Sequence, residues 1–203
     1  MDQFESFYRD KLDTRETNAE KVGWKNQTAQ YIRFEQLFKL IDLNQSFTLN
    51  DLGCGLADYY EFLHQKNLQF KYYGYDTMPD MIDQAKKRLQ LKANAHLFLI
   101  GKATEIQPND FTIASGIFNI RFATNDEEWK KYILATLSSV NEKSKLGFAF
   151  NMLSLYSDEN MRKSELFYGD PLYFFDYCKR NFSMNVSLLH DYGQYDFTII
   201  VRK

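Results

Sequence analysis

Two glycines in the segment Asn50–Asp58 have the spacing of a loop that binds a ligand against bare backbone. Gly53 and Gly55 follow an apolar run and precede an amphipathic stretch, and glycine there allows a tight turn and a close approach. A dinucleotide loop, G-x-G-x-x-G, would have a third glycine where this chain has Asp58, and a carboxylate would repel a pyrophosphate. Asp51 and Asp58 suit a cationic ligand head, such as an amino-acid ammonium group, although Asp58 could equally cap the following helix.

Another carboxylate, Asp76, ends the next apolar segment, about 20 positions after the glycines. An acidic side chain there can accept hydrogen bonds from the hydroxyls of a ribose. A nucleoside with an amino-acid tail therefore fits both the glycine loop and Asp76. Cys54 lies between the two glycines, and we interpret it as the small residue that fits there rather than as a nucleophile.

These residues belong to a pattern in which short apolar runs alternate with amphipathic stretches from about residue 47 onward. The pattern is typical of an α/β sheet covered by helices. Only residues 191–194 separate the last two apolar runs, too few for a crossover, so these strands must pair antiparallel as a hairpin. Seven strands are predicted, over residues 47–53, 69–75, 96–100, 110–117, 145–151, 184–190 and 195–203.

Helical periodicity fills most of the intervals between the predicted strands. Thr77 can cap the helix that follows the second strand, and Pro79 lies in its first turn. We expect a single domain, in which residues 1–45 form a helical lid or cap over a core of residues 46–203. Helices are predicted from about residue 58 to 66 and over 78–89, 129–140 and 172–182.

The composition argues against several classes of protein. Lys and Arg number 25 against 27 Asp and Glu, a net charge of −2, which removes the general electrostatic argument for nucleic-acid binding. No stretch approaches the roughly 20 apolar residues of a membrane helix, and the first ten residues have no pattern of a secretory signal. The two cysteines and three histidines are scattered, so no metal site is predicted. We expect a reduced, cytoplasmic protein, a monomer or homodimer, without a membrane partner.

Three motifs follow one another along the chain, at the ends of the first, second and fourth predicted strands. They are Asp51-Leu-Gly-Cys-Gly-Leu-Ala57, Gly74-Tyr-Asp-Thr-Met-Pro-Asp-Met81 and Asp110-Phe-Thr-Ile-Ala-Ser-Gly116. This series resembles the successive motifs of the S-adenosylmethionine-dependent methyltransferases with a Rossmann-like fold. The resemblance implies an α/β, doubly wound, seven-stranded sheet, mostly parallel with an antiparallel C-terminal hairpin and helices on both faces. It also implies S-adenosylmethionine as the cofactor and S-adenosylhomocysteine as the product.

The resemblance also implies which residues contact the cofactor. Ala57 stands where the family has a third glycine, and Lys102 stands where it often has an acidic residue. The implied contacts are Asp51, Gly53, Cys54 and Gly55 around the methionine part, Asp76 at the ribose, Thr77 and Met78 beside the adenine with Lys102, Ala103 and Thr104 flanking it, and Ser115, Gly116 and Ile117 near the sulfonium.

The acceptor should lie beyond the carboxyl ends of the strands, where ligands bind in open α/β sheets. His190 is a candidate base for a hydroxyl acceptor. Arg33 and Arg121 could orient an anionic group of the acceptor, bind the cofactor carboxylate, or form surface ion pairs. The candidate catalytic residues are Asn119, Arg121 and His190, and the candidate substrate-binding residues are Tyr8, Trp24, Arg33, Asn151, Tyr156 and Tyr192.

The sequence favours transfer of a methyl group to oxygen or nitrogen of a small molecule. Ser115-Gly-Ile-Phe118 follows the fourth strand, where nucleic-acid amine methyltransferases of this fold often carry [DNS]-P-P-[YF]. Three alternatives remain at this point. They are a non-catalytic protein that binds the cofactor and acts as a regulatory partner, an RNA methyltransferase, and a nicotinamide dehydrogenase.

Overall fold

Seven strands form one sheet in the order β3-β2-β1-β4-β5-β7-β6. The computed structural model describes residues 3–15, 17–23, 26–41 and 45–203. The strands are β1 (Phe47–Leu52), β2 (Phe70–Asp76), β3 (Ala95–Leu99), β4 (Asn109–Ala114), β5 (Ser144–Leu153), β6 (Asn185–Leu189) and β7 (Asp196–Arg202). Strands β1 to β5 pair in parallel, whereas β7 pairs antiparallel with both β5 and β6. The predicted fold class and the terminal hairpin are confirmed.

Helices cover both faces of the sheet. One core cluster packs α3, α4 and α5 against one face, and a second packs α6 and α7 against the other. The connection from β3 to β4 contains only a 3-10 turn, Ala103–Glu105. The helices are α1 (Gln3–Thr14), α2 (Asn18–Lys21), α3 (Gln27–Phe38), α4 (Asp58–Gln65), α5 (Pro79–Arg88), α6 (Asp126–Lys143) and α7 (Pro171–Asn181). In the described part of the chain, none of them has the length and apolar character needed to cross a bilayer.

Local sequence signals account for several helix starts. Asn26 caps α3 by accepting a hydrogen bond from the backbone N of Ala29 at 2.8 Å, and Asn125 caps α6 in the same way. Helix α5 differs from its prediction, because its N-cap is Met78 and not Thr77. The carboxylate of Asp76 accepts a hydrogen bond from the backbone N of this N-cap residue at 2.9 Å, and no side chain caps the first turn of the helix.

A buried ion pair ties the N-terminal helix α3 to the antiparallel strand β7. The Nη2 of Arg33 contacts the Oδ2 of Asp196, and the side chain of Asp196 has no exposed surface. Nη1 of the same arginine donates to the carbonyl oxygen of Ala29 at 2.6 Å. Because a buried charge without its partner is costly, this pair fixes α3 over one end of the sheet.

Replacing the arginine should therefore destabilise the fold. We expect Arg33→Met to lower the free energy of unfolding by about 3–5 kcal/mol, because it leaves the Asp196 carboxylate buried and unpaired. Glu35→Gln is the matched control, since it removes the exposed Lys66–Glu35 pair of the same helix and should cost about 0–1 kcal/mol. Urea unfolding measures both. The double variant R33M/D196N should recover part of the loss, and equal effects of R33M and E35Q would contradict the assignment.

Candidate active site

A cavity of about 940 Å³ opens at the edge of the sheet where the carboxyl ends of β1, β2 and β4 meet. Every residue that the resemblance assigned to the cofactor lines this cavity. Tyr8, Arg33 and Asn119 line it as well. Residues distant in sequence, from 51 to 117, therefore surround one space, as the alternation of strands and helices requires.

The glycine loop, residues 53–57, is fixed on the end of β2. The backbone N atoms of Gly53 and Cys54 both donate to the carbonyl oxygen of Tyr75, at 2.7 and 3.0 Å. Gly53 has φ +75°, and a Cβ there would lie 2.1 Å from Cγ2 of Ile117. A side chain at Gly53 is excluded both by this contact and by the backbone conformation.

The Asp76 carboxylate joins the glycine loop to helix α5. One oxygen accepts a hydrogen bond from the backbone N of Gly55 at 2.8 Å, and the other accepts one from the backbone N of Met78 at 2.9 Å. Burial raises the pKa of this carboxyl, although the backbone donors lower it. Each oxygen keeps a further lone pair, so the carboxylate can also accept hydrogen bonds from the hydroxyls of a ligand.

Asp51 is a buried acid at the end of β1. Its Oδ2 accepts a hydrogen bond from the Tyr72 hydroxyl at 2.6 Å. Burial raises the pKa of Asp51, the Tyr72 hydrogen bond lowers it, and the carboxylates of Asp76 and Asp58 raise it, so that the resulting pKa is about 7. A cation in the cavity would favour the ionised form, so this carboxylate suits a ligand with an ammonium group.

Asp58 lines the cavity, but its carboxylate is bound by other side chains of the protein. Its Oδ1 pairs with Nη1 of Arg88 at 2.8 Å, and its Oδ2 accepts a hydrogen bond from Nε2 of Gln30 at 3.2 Å. The N-cap of α4 is Ala57, in the left-handed region with φ 60°, and Asp58 is the first residue of the helix. The sequence hypothesis that Asp58 caps α4 is therefore wrong, and its carboxylate serves an ion pair.

Cys54 packs between the loop and β2. The thiol lies 3.0 Å from the place where a Cβ on Gly74 would be, so the glycine provides room for it. Burial raises the pKa of this thiol well above its usual value, and the neighbouring carboxylates of Asp76 and Asp51 act in the same direction. A thiol with a raised pKa is a poor nucleophile, which agrees with the interpretation of Cys54 as a small residue that fits the loop.

Two of the predicted acceptor residues support loops near the cavity through hydrogen bonds. The Oδ1 of Asn119, which lines the cavity, accepts from the backbone N of Leu153 at 2.9 Å. Asn151 is fully buried, and its Oδ1 accepts from the backbone N of Gly116 at 2.7 Å. Its Nδ2 donates to Oγ of Ser115 at 3.3 Å. Asn151 therefore positions residues 115–116 from behind and is not among the described residues that line the cavity.

The structure places four other candidates away from the cavity. Arg121 pairs with Asp126 at 2.9 Å and donates to the carbonyl oxygen of Thr124 at 2.7 Å. His190 is exposed beside Tyr156, with 6.0 Å between ring centroids. The Tyr192 hydroxyl lies 3.0 Å from Oγ1 of Thr198. None of these is among the described residues that line the cavity, and Trp24 lies outside the described residues.

Helix α1 lies across the mouth of the cavity. On one side Arg9 pairs with Asp80 of α5 at 3.1 Å. On the other side the ring of Phe7 meets that of Phe122, which follows β4, with 5.7 Å between centroids. Tyr8, between them, lines the cavity, and burial raises the pKa of its hydroxyl, with the Asp76 carboxylate as a second cause. The lining also includes Val22 and Gly23 after α2.

Sequence reasoning missed part of the lining. Trp129, Tyr132 and Thr136 of α6 line the cavity, but their helical spacing indicated only a packed face. Lys11 and Lys163 line it too, and they carry no motif. Arg88 was missed as well, although it holds Asp58 and contacts the carbonyl oxygen of Leu56 in the glycine loop. A polar helix end gives no signal of such a contact.

Comparisons with known proteins agree with this geometry. A family model described as a methyltransferase domain matches residues 50–143. A protein of Mycobacterium tuberculosis named "Putative methyltransferase Rv1506c" is 41% identical over 165 residues, covering 81% of this chain and 98% of that one.

Solved structures show the same fold at low sequence identity. Magnesium protoporphyrin IX methyltransferase (ChlM) of Synechocystis PCC 6803, with bound S-adenosylhomocysteine, superposes with a TM-score of 0.68 at 15% identity, covering 98% of this chain and 96% of that chain. The N-methyltransferase NodS of Bradyrhizobium japonicum WM9, in complex with S-adenosylhomocysteine, gives 0.66 at 12% identity, covering 100% and 99%. The cavity, the order of the strands and these similarities agree, and the chain belongs to the S-adenosylmethionine-dependent methyltransferases of Rossmann-like fold.

Proposed function

We propose that this methyltransferase transfers the methyl group of S-adenosylmethionine to oxygen or nitrogen of a small molecule. The observation that carries the proposal is that α1 covers a single cavity, which holds both the cofactor residues and the loop after β4. Its volume of about 940 Å³ lies near the top of the range of about 300–1,000 Å³ for small-molecule pockets. That volume suits a nucleoside together with a small acceptor. A macromolecular acceptor would need an open mouth.

The chain's own residues would bind and orient the two reactants. When bound, S-adenosylmethionine supplies a methyl group on a positively charged sulfur, and the cofactor carries the difficult chemistry. Asp51 would pair with its ammonium group and Asp76 would accept hydrogen bonds from its ribose. Residues Met78 and 102–104 would flank the adenine, and residues 115–117, held by Asn151, would lie by the sulfur. The protein's task is then alignment and exclusion of water.

The acceptor side of the proposal differs from the sequence prediction. Asn119 remains a candidate contact, because it lines the cavity. The proposal gives Arg121 and His190 no catalytic role, because their described contacts lie elsewhere. Residues 1–45 would act as the lid of a single domain with core residues 46–203, and a cytoplasmic monomer or homodimer remains the expectation.

A transfer assay tests the proposed function. The protein is incubated with methyl-tritiated S-adenosylmethionine and either a deproteinised metabolite extract or bulk RNA. We expect tritium in the small-molecule fraction. Tritium in RNA would favour the RNA methyltransferase alternative. Binding of S-adenosylhomocysteine without transfer to any fraction would favour a non-catalytic partner.

The role proposed for Asp76 predicts a loss of cofactor affinity. Asp76→Ala should weaken binding of S-adenosylhomocysteine by about 10- to 100-fold, because it removes hydrogen bonds to a charged acceptor. Titration calorimetry measures the affinity. Asp110→Ala is the matched control, since Asp110 also accepts two hydrogen bonds, from N and Oγ1 of Thr48, both at 2.8 Å. Asp110 lies at the opposite end of the sheet, so its variant should keep the affinity.

The raised pKa of Asp51 predicts that cofactor binding depends on pH. The free carboxyl titrates at about 7, and an ammonium group beside it would lower that pKa, so binding releases a proton. Affinity for S-adenosylhomocysteine should therefore rise by about tenfold between pH 6 and pH 8. Calorimetry in buffers of different ionisation enthalpy measures the proton release. Asp51→Asn should bind weakly at every pH, and a wild-type profile equally flat would contradict the pairing.

The same carboxyl should reduce the stability of the protein without ligand. Its pKa is raised by folding from 3.8 to about 7, so the folded state binds more protons and stability is lost as pH rises through this window. Asp51→Asn should raise the free energy of unfolding by roughly 2–4 kcal/mol at pH 8, because the amide oxygen can still accept from Tyr72. Urea unfolding should show a gain that shrinks as pH falls toward 4. A constant gain would point to another cause.

A further inference from the structure

Two lysines line the acceptor end of the cavity, which we define as the part bounded by α1 and by the segments after β4 and β5. Lys11 belongs to α1 and Lys163 to the segment after β5, and both line the cavity. Neither has a role in the proposed cofactor contacts. They are distant in sequence, so the fold alone brings two ammonium groups to one space.

Hydrogen bonds hold Lys163 beside the loop that follows β4. The carbonyl oxygen of Glu165 accepts from the backbone N atoms of Arg121 and Phe122, both at 3.0 Å. The backbone N of Lys163 itself donates to the hydroxyl of Tyr168 at 3.0 Å. The backbone of this segment is therefore fixed, and the lysine side chain starts from a defined position.

Lys11 reaches the same end of the cavity from α1. Its Nζ lies 4.6 Å from the ring centroid of Phe7, one helical turn earlier, and Phe7 in turn contacts Phe122. Burial lowers the pKa of Lys11, and the positive charges of Arg15 and Lys163 lower it further, against a smaller opposite effect of Asp10. Lys11 and Lys163 are thus close enough to repel each other.

The carboxylate of Asp10 offsets this repulsion only in part. Within the residues that the structure describes, neither Lys11 nor Lys163 makes an ion pair. Glu165 also lines the cavity, and its side chain lies 3.5 Å from Oγ of Ser164. The two arginines that the sequence offered for an anion, Arg33 and Arg121, pair with Asp196 and Asp126. The positive charge that faces the acceptor end is therefore that of the lysines.

We infer that Lys11 and Lys163 hold an anionic group, a carboxylate or a phosphate, on the methyl acceptor. Lys11 is half-buried and Lys163 is exposed, and an anion between the two ammonium groups would offset their repulsion. An ammonium can make charge-assisted hydrogen bonds to either group. The inference rests on the proposed function, because it takes the rest of the cavity to hold the cofactor. It narrows the acceptor to small molecules that are negatively charged near neutral pH.

Binding of simple anions tests this inference. The protein is saturated with S-adenosylhomocysteine and titrated with sodium succinate and, separately, with inorganic phosphate at constant ionic strength. We expect saturable binding of at least one anion with a Kd below about 10 mM. The double variant K11M/K163M should bind it about 10- to 100-fold more weakly, and K11R/K163R should retain binding. Lys71→Met, an exposed lysine of β2, is the control and should bind as the wild type does.

Three results would overturn the inference. The first is that wild-type protein binds neither anion, and the second is that Lys71→Met loses as much affinity as K11M/K163M. The third is that the two lysines bind the carboxylate of the cofactor and not an anionic group of the acceptor. If K11M/K163M binds S-adenosylhomocysteine tenfold more weakly but binds 5′-methylthioadenosine, which has no carboxylate, as the wild type does, the lysines serve the cofactor.

The failure of the proposed function gives a different result. A wild-type protein that binds no S-adenosylhomocysteine would contradict the proposed function, and with it the assignment of the anion to a methyl acceptor. The anion titrations on the free protein and its variants would then decide, by the same criteria, only whether the two lysines bind an anion.

Discussion

The backbone hydrogen bonds that Asp76 accepts hold the candidate active site together. Asp76 ends β2, and its two oxygens reach Gly55 in the glycine loop and Met78 at the start of α5. Strand, loop and helix are therefore joined at one carboxylate, which also faces the cavity. A charged acceptor makes stronger hydrogen bonds than a neutral one, so the geometry of the loop depends on this acid remaining ionised.

Two acidic residues near the glycine loop, Asp58 and Asp51, differ in whether their carboxylate is paired with a cation of the protein. Asp58 is paired with Arg88, which also contacts the loop, so its charge is balanced by the protein. Asp51 has a hydroxyl partner, Tyr72, and its pKa is raised by burial. A cation in the cavity would therefore stabilise the ionised form of the Asp51 carboxyl. Buried groups with shifted pKa values are concentrated in functional sites, which agrees with the proposed pairing of Asp51 with a cationic ligand.

The residues that could be identified from sequence are those whose role follows from local backbone geometry. A glycine loop after a strand and an acid at the end of the next strand are fixed by short segments, and Gly53, Gly55 and Asp76 accordingly line the cavity. Most of the predicted acceptor residues, by contrast, depend only on their position after a strand, and Tyr8, Trp24 and Arg33 on their position in the N-terminal segment. Strand β5 continues to Leu153, so Asn151 lies within it and supports a loop. His190 follows β6, which lies at the edge of the sheet. The sequence could not predict this position, because it does not show the order of the strands. Lys11 and Lys163 belong to polar segments, and only the tertiary fold shows that they line one cavity.

The ion pair between Arg33 and Asp196 joins a helix near the beginning of the chain to its last strand. Arg202, at the end of that strand, also contacts the carbonyl oxygen of Lys39, just after the helix. During synthesis on the ribosome, α3 is complete long before β7 emerges. Until then Arg33 has no Asp196 beside it, although Phe34 and Leu37 of the same helix can already pack on α4. The two polar contacts that join this part of the chain to β7 can therefore form only after β7 has been translated.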